Sequence, residues 1–592
     1  GNRHRARIDE QPPAGMVGDR AGGGKPVRED LFGHSHIIRN RDERNDHSMK
    51  RDWREQAGRL LAAALLGLIV VNYLLPATEF FTAVPGDLSD ARFNSVVLEH
   101  LYRVFNGSGT LWSPPYFYPF EGVLAFSDNL FGSAPIYILA RLLGLSREHA
   151  FDAWFVVGTL LNYASALYAL RRMGASTVAA ALGAFVFASG VPVPAQDAHA
   201  QLVYRFPIPL AVLAFWQMFE QRRLAAFGRV AFFTTWQFYC SIYLGLFLAY
   251  LFAAMLLAML LVRRPLDQVQ WRANIAAAPV PARLAAGGVS LLSILAFVYL
   301  IDSYYRIKQT YNLWRPGASI TELLPRPESY LIADASPLLA WLGRGFILPY
   351  RWEQQLFIGF GAIALLVVAA ASRRRAAAAG LTEVMLIALL VVFAGTLAVG
   401  DFSLYHLISW LPGIEGIRAV SRVILVMLMP IALLVAFGVD AIWRRGWASP
   451  SAAAAALAAS IALVVTEPLS VRAGGTPIAV WHARLVAARR LGPAELPSDA
   501  ILMVPTHVRE LDQVTWVEID GMLLGQELGR PVLNGYSGFF PPGFRLQPCD
   551  APRERIIGYY LLNDKRVTIA QYFPRVVVIE LGKCRPANLV MP

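Results

Sequence analysis

Two carboxylates follow the first long apolar run of the chain, in Pro85-Gly86-Asp87-Leu88-Ser89-Asp90-Ala91-Arg92. The run ends at about Pro76, so both acids stand where a membrane meets water. Acidic groups there are costly unless they bind or react with something. An ionised carboxylate near a hydroxyl can take its proton while the oxygen attacks an electrophile. Asp87 and Asp90 lie three apart, so one turn can aim both into one cleft and couple their titrations. The alternative for Asp90 is to cap a helix beginning near Ala91, which makes Asp87 the stronger candidate for a base. The placement points to chemistry on a lipid-linked substrate.

Basic and aromatic groups complete a possible site. Arg418 and Arg422 are four apart at the start of a late apolar run, so they share a helix face. They suit an anionic ligand, or pairing with Glu415 or Asp401. Arg205, near His199, is a second cationic candidate. His199 is a candidate for acceptor binding, set against a structural histidine; Asp128 and Asp197 are candidates for acceptor or metal binding, set against solvated acids of a loop. Trp112 and Tyr116, in Leu111-Trp112-Ser113-Pro114-Pro115-Tyr116, could stack on a sugar or anchor the loop at the interface.

The elements that must position these residues are membrane spans. Of 592 residues, 56% are hydrophobic and 16% charged, against about 25% charged in soluble proteins. The apolar residues come in blocks, which predicts a polytopic α-helical membrane protein of about eleven spans. They fall near 60–77, 151–171, 175–191, 204–220, 227–243, 245–262, 284–302, 354–372, 380–399, 420–443 and 452–469.

The net charge of +12 resides mostly in arginine pairs at span ends, so it reads as a topology signal and not as nucleic-acid binding. Lys50, Arg51, Arg54 and Arg59, then Arg171-Arg172, Arg222-Arg223, Arg263-Arg264, Arg373-Arg374-Arg375 and Arg444-Arg445, mark alternate junctions. That pattern predicts N-terminus in and C-terminus out. It holds only if Ala134–Leu145 is an interfacial helix and not a span.

Three domains follow. Residues 1–49 read as disordered, with Ser48-Met49-Lys50 as a natural start inside the chain. Residues 50–470 form the transmembrane domain, with a long first outer loop at 78–150 in which Phe93–Tyr102 has amphipathic helical spacing. Residues 471–592 form a small extracytoplasmic α/β domain, with strands at 500–505 and 575–581, a helix over 516–528 and a turn at 534–538. Cys549 and Cys584 fall there and could pair or remain separate thiols; Cys240 reads as a packed thiol within a span. No GxGxxG, GxxxxGK[ST], HExxH, CxxC or GxSxG occurs in a supporting context, which removes nucleotide-loop, zinc-hydrolase and serine-hydrolase readings.

The acidic motif after the first span, the long first loop and its interfacial helix resemble the GT-C superfamily of integral-membrane glycosyltransferases, over about 50–592. His199-Ala200-Gln201-Leu202, Ile417-Arg418-Ala419-Val420-Ser421-Arg422 and Val532-Leu533-Asn534-Gly535-Tyr536-Ser537-Gly538-Phe539 resemble elements of its polyprenyl-phosphate-sugar-dependent members. The resemblance implies an inverting glycosyltransferase in a bacterial inner membrane, its site facing the periplasm or cell exterior. It would move a sugar from a polyprenyl-phosphate donor to a cell-envelope acceptor, be it glycan, lipid or protein. Asp87 or Asp90 would be the base, or help bind a divalent cation such as magnesium or manganese. Arg418, Arg422 and Arg205 would hold the donor phosphate. His199, Asp128, Trp112 and Tyr116 would meet acceptor or sugar. Membrane lipids are then partners. The competing readings are a lipid or polysaccharide transporter or flippase, and a non-catalytic scaffold.

Overall fold

The computed structural model describes residues 55–220, 224–262, 268–315, 317–373, 379–408, 416–444, 449–493, 495–549, 554–558 and 573–582. The proposed disorder of 1–49, the junction residues Lys50, Arg51, Arg54, Arg222, Arg223, Arg263, Arg264, Arg374, Arg375 and Arg445, the acid Glu415 and the thiol Cys584 lie outside them.

The chain is a polytopic α-helical membrane protein. Among the described residues eight helices are long and apolar enough to cross a membrane. These include α1 (Glu55–Ala77), α4 (Arg147–Arg172) and α8 (Ile242–Leu261). All eleven expected spans are helices. Two that fall short in length are α11 (Phe360–Ser372) and the apolar stretch Ala454–Leu469 of α14 (Pro450–Leu469). A third, α7 (Leu224–Cys240), has 17 residues and carries Arg229, Gln237 and two threonines. Ala134–Leu142 (α3) is a helix of only 9 residues, too short to span, in keeping with the interfacial reading. A further helix over Gln268–Ala277 (α9) was not expected from the sequence; it has little apolar periodicity.

Spans pack through small residues, as membrane helices do where the hydrophobic effect offers little. The central helix, running within Val420–Arg444, is buried along its whole apolar window. A Cβ on Gly183 of α5 (Thr177–Ser189) would sit 2.5 Å from the Ala432 carbonyl of that central helix. One on Gly438 would meet the Leu365 carbonyl of α11.

The segment after α1 forms β1 (Ala83–Pro85), then α2 (Asp90–Phe105). The expectation for α2 was an amphipathic helix with one wet face. In the structure all eleven residues from Ala91 to Leu101 are buried, polar ones included. The reason lies in the C-terminal segment. Its helix α16 (Leu511–Leu528) covers the polar side: Arg92 pairs with Asp520, and Gln526 donates to the Val96 carbonyl at 2.8 Å. Strand β4 (Gly475–Pro477) pairs antiparallel with β1, Val84 opposite Thr476. The α/β texture foreseen there is present: β5 (Ile501–Met503) pairs parallel with β6 (Val576–Val578) beside α15 (Ile478–Leu491) and α16. Cys549 is disulfide-bonded, and Cys240 is a buried free thiol.

Candidate functional site

Five chain segments bring charged and phenolic groups together beside α2. Gly86 has φ +89°, and a Cβ there would press on the Asp197 carbonyl at 3.0 Å. Glycine therefore lets the turn that carries Asp87 lie against the Asp197–His199 segment. Asp87 accepts through Oδ1 from the backbone N–H of Ser89 and of Ala91, both at 3.2 Å. The capping role expected for Asp90 thus falls to Asp87. Its Oδ2 has no partner among the described residues, and the residue is half-buried.

Asp90 faces the network instead. Its Oδ2 accepts from His199 Nδ1 at 2.8 Å and its Oδ1 from the Tyr536 hydroxyl at 2.7 Å. His199 Nε2 lies 3.0 Å from Glu353 Oε1. Arg422 closes the chain, with Nη2 2.6 Å from Glu353 Oε1 and Nε 3.1 Å from Oε2. The 3.2 Å approach of Arg422 Nη2 to His199 Nε2 is two donors sharing one acceptor, Glu353 Oε1, and not a bond between them.

The charges alternate: Asp90 negative, His199 positive, Glu353 negative, Arg422 positive. Burial and the Arg422 charge push the His199 imidazolium toward losing its proton. Glu353 and the hydrogen bonds to Asp90 and Glu353 outweigh them and hold its pKa at about 9. Burial alone would raise Asp90, but the His199 hydrogen bond and charge and the Tyr536 hydroxyl lower it. Glu353 is held well below the carboxylate range; burial opposes this, and Arg422 and His199 override it. Asp87 moves the other way, raised by burial and by the Asp90 charge. Two neighbouring acids thus have their affinities for protons driven apart, a division seen where one group is to move a proton and the other to stay charged.

Beyond Arg422 lie two cations with no carboxylate partner among the described residues. Arg418 is exposed; its N–H donates to the Tyr243 hydroxyl at 3.2 Å and its guanidinium stands 5.8 Å from the Tyr350 ring. Arg315 lies 4.0 Å over Phe539 and donates to the Gly538 carbonyl at 2.7 Å. Its pKa is lowered by burial and by the Arg418 and Arg422 charges, so three guanidinium groups crowd one place. The turn bearing Gly538 and Tyr536 is fixed by Asn534, whose amide donates to Glu518 and Val504. A Cβ at Gly535 would enter the Phe117 ring, so only glycine brings this turn onto the first loop.

The remaining expected site residues stand elsewhere. Arg205 is 2% exposed, lines a small cavity together with His199 and donates to the Ala188 carbonyl at 3.3 Å. Asp128 is buried and caps the start of α8, accepting from Ile242 N–H at 2.6 Å and the Ser241 hydroxyl at 3.1 Å; burial raises its pKa to about 6. Tyr116 is 1% exposed, with an unpartnered hydroxyl. Trp112 is partly open and donates from Nε1 to the Tyr299 hydroxyl at 3.0 Å. Asp128 and Tyr116 are therefore closed to a bound sugar. Glu353, Tyr536 and Arg315 escaped sequence reasoning. Glu353 had one signal: it is an acid immediately before an apolar run, the mirror of Asp87 after one. Among the described residues no group of three or more His, Cys, Asp or Glu is arranged to hold a metal ion.

Neither family models nor curated proteins give a match to this chain. Among solved structures it is similar to arabinofuranosyltransferase AftD from Mycobacteria, at 13% identity and TM-score 0.43 over 77% of this chain and 31% of that one. A second AftD structure gives 15% identity and TM-score 0.36. ArnT from Cupriavidus metallidurans in the apo state gives 11% identity and TM-score 0.40 over 80% of this chain and 84% of that one. The chain spans under a third of AftD's length, and likeness at these TM-scores carries no argument about chemistry.

Proposed function

We propose that this protein is an inverting membrane glycosyltransferase that moves a sugar from a polyprenyl-phosphate donor to a cell-envelope acceptor at the extracytoplasmic face of a bacterial inner membrane. The observation that carries the reading is the split pair: Asp87, raised and with a free Oδ2, beside Asp90, lowered and locked into the His199–Glu353–Arg422 chain.

The acceptor hydroxyl oxygen attacks the anomeric carbon while Asp87 Oδ2 takes its proton. The bond from the anomeric carbon to the phosphate oxygen breaks, and the electron pair leaves with polyprenyl phosphate. Arg418 and Arg315, free of carboxylate partners among the described residues, stabilise the negative charge that develops there. Arg422 acts through the network, since Glu353 already engages it at two atoms. A single displacement inverts the anomeric configuration. Aromatic contact to donor or acceptor is left to Trp112.

A transporter would place ionisable groups at mid-membrane. Among the described spans the acids Glu148, Asp152, Asp302, Glu383, Asp440 and Glu467 all lie in the outer thirds of their helices, and this reading gains no support. The deciding assay incubates purified protein with polyprenyl-phosphate sugars and measures released polyprenyl phosphate. Turnover that falls to background in Asp87→Asn supports the proposal. Absence of turnover with every donor, or full activity in Asp87→Asn, overturns it.

A further inference from the structure

The loop that delivers Glu353 to the site, residues 335–352, is unlike a loop that faces water. Arg344 and Arg351 are its only charged residues. Ile347 is 96% exposed, Trp352 62%, and Leu338 and Trp341 more than half. Large apolar groups gathered at a surface mark a place where something docks. The loop is also held in shape. The Arg351 guanidinium forks onto Asp334 at 2.7 and 2.8 Å and donates to the carbonyls of Gly343 and Phe346. One cation thus ties the start, middle and end of the loop together, and the apolar side chains project from a fixed frame.

A neighbouring segment repeats the pattern. Helix α12 (Ala379–Thr396) runs into a hairpin of β2 (Ala398–Val399) and β3 (Phe402–Ser403), on which Val399 and Phe402 are exposed. The Ala398 N–H donates to the Pro325 carbonyl at 2.8 Å, and the Tyr330 ring lies 4.8 Å from that of Phe393 in α12. Hairpin and loop therefore occupy the same end of the helix bundle. Helix length indicates what covers them. The loop leads into α11, whose 13 residues rise about 20 Å against about 30 Å of hydrocarbon. Arg373 follows its last residue, and an arginine there marks where water begins. The missing depth, about 10 Å, falls before Phe360, on the segment that continues from the loop. Irregular backbone is tolerated at that depth where protein covers it, and Gln354, Leu356, Phe357 and Gly359 are buried.

We propose that the 337–352 loop and the β2–β3 hairpin form a membrane-docking surface, seated among the lipids of the leaflet on the site's side. The partner is the bilayer itself. Acyl chains take Leu338, Ile347 and Phe402, and the indoles of Trp341 and Trp352 sit at headgroup level, where rings with one polar edge are stable. Arg344, exposed, is long enough to reach the lipid phosphates from within. Glu353 follows Trp352 directly, so the docked loop sets the Glu353–Arg422 pair at headgroup depth. The inference does not rest on the transferase reading, because its readout is depth and not turnover.

The test places a nitroxide on Ile347→Cys, and separately on Phe402→Cys, in the full-length protein held in nanodiscs of palmitoyl-oleoyl phosphatidylcholine and phosphatidylglycerol. Both side chains already point outward, so neither label disturbs packing. Cys240 is buried and Cys549 disulfide-bonded, and unsubstituted protein taken through the same labelling gives the background. Ser498→Cys, exposed on the C-terminal segment, is the water-facing control. Power saturation with oxygen, which concentrates in lipid, and with a water-soluble nickel chelate reads the depth of each label. Both the Ile347 and the Phe402 label should be several-fold more accessible to oxygen than to the chelate, with the order reversed at Ser498. Either label being as open to the chelate as Ser498 overturns the proposal. Closure to both reagents also overturns it, because protein and not lipid then covers the surface.

Discussion

At the scale of residues, the site is a matter of which oxygen remains free. Asp87 and Asp90 look alike in the sequence, yet one uses a single oxygen for the cap and the other spends both on the network. Asp87→Asn keeps the cap, because asparagine caps as well as aspartate, and removes only the charge. Turnover should then drop about 10²- to 10⁴-fold while Tm changes little, checked by assay and thermal scan together. The His199 network sets a pH window. A histidine raised to about 9 from about 6.5 in the unfolded chain contributes stability in full below about pH 6.5, and that contribution fades as pH rises through 9. Asp90 and Glu353 are lowered, so their contribution is present above the ordinary carboxylate range and fades as pH falls through it. Wild-type Tm should therefore sag above pH 8 and below about pH 4. His199→Gln should flatten the alkaline side and, because His199 also helps hold Asp90 and Glu353 low, weaken the acid-side dependence as well, measured as Tm from pH 3 to 10.

At the scale of elements, close helix contacts replace hydrophobic drive. Gly183 faces the Ala432 carbonyl with no room for a methyl group. Gly183→Ala should force α5 from the central helix and cost about 1–3 kcal/mol, read as reduced Tm in detergent. Glu467 accepts from the N–H of Phe360 and of Gly361, both at 3.0 Å, at the start of α11. Glu467→Ala should leave both donors unmet and cost about 1–3 kcal/mol, with faster hydrogen exchange at those two amides. These elements were legible to different degrees. Span length is imposed by the bilayer, so apolar runs identified every helix expected to cross. The burial of α2 was not legible, because its wet-looking face includes Arg92 and Glu99, and their partners, Asp520 for the first and Tyr137 and Arg141 for the second, come from elsewhere in the chain. Asp128 and Tyr116 misled for a related reason: polar and aromatic residues in a loop read as available until packing closes over them.

At the scale of the whole molecule, the C-terminal segment completes the region after α1. It supplies Asp520 to the buried Arg92, Arg484 to balance Asp520 and Tyr536 to Asp90. A chain ending at residue 470 should leave Arg92 as an unpaired buried charge and fail to give a folded monomer, seen as aggregation on size exclusion. Arg92→Met, which removes the charge and leaves Asp520 with Arg484, should fold. The site was partly legible at this scale too. Asp90, His199 and Arg422 each stood out at a span junction, but their bonding to Glu353 and Tyr536 is a long-range fact that no local pattern encodes.

The separation of Tyr536 from Asp90, 446 residues, also has a meaning in time. At about 5–20 residues per second of synthesis, Asp90 emerges from the ribosome roughly 20–90 s before the hydroxyl that will bond it. A nascent chain already inserted through its early helices therefore still lacks the hydroxyl that completes the hydrogen bonding of Asp90.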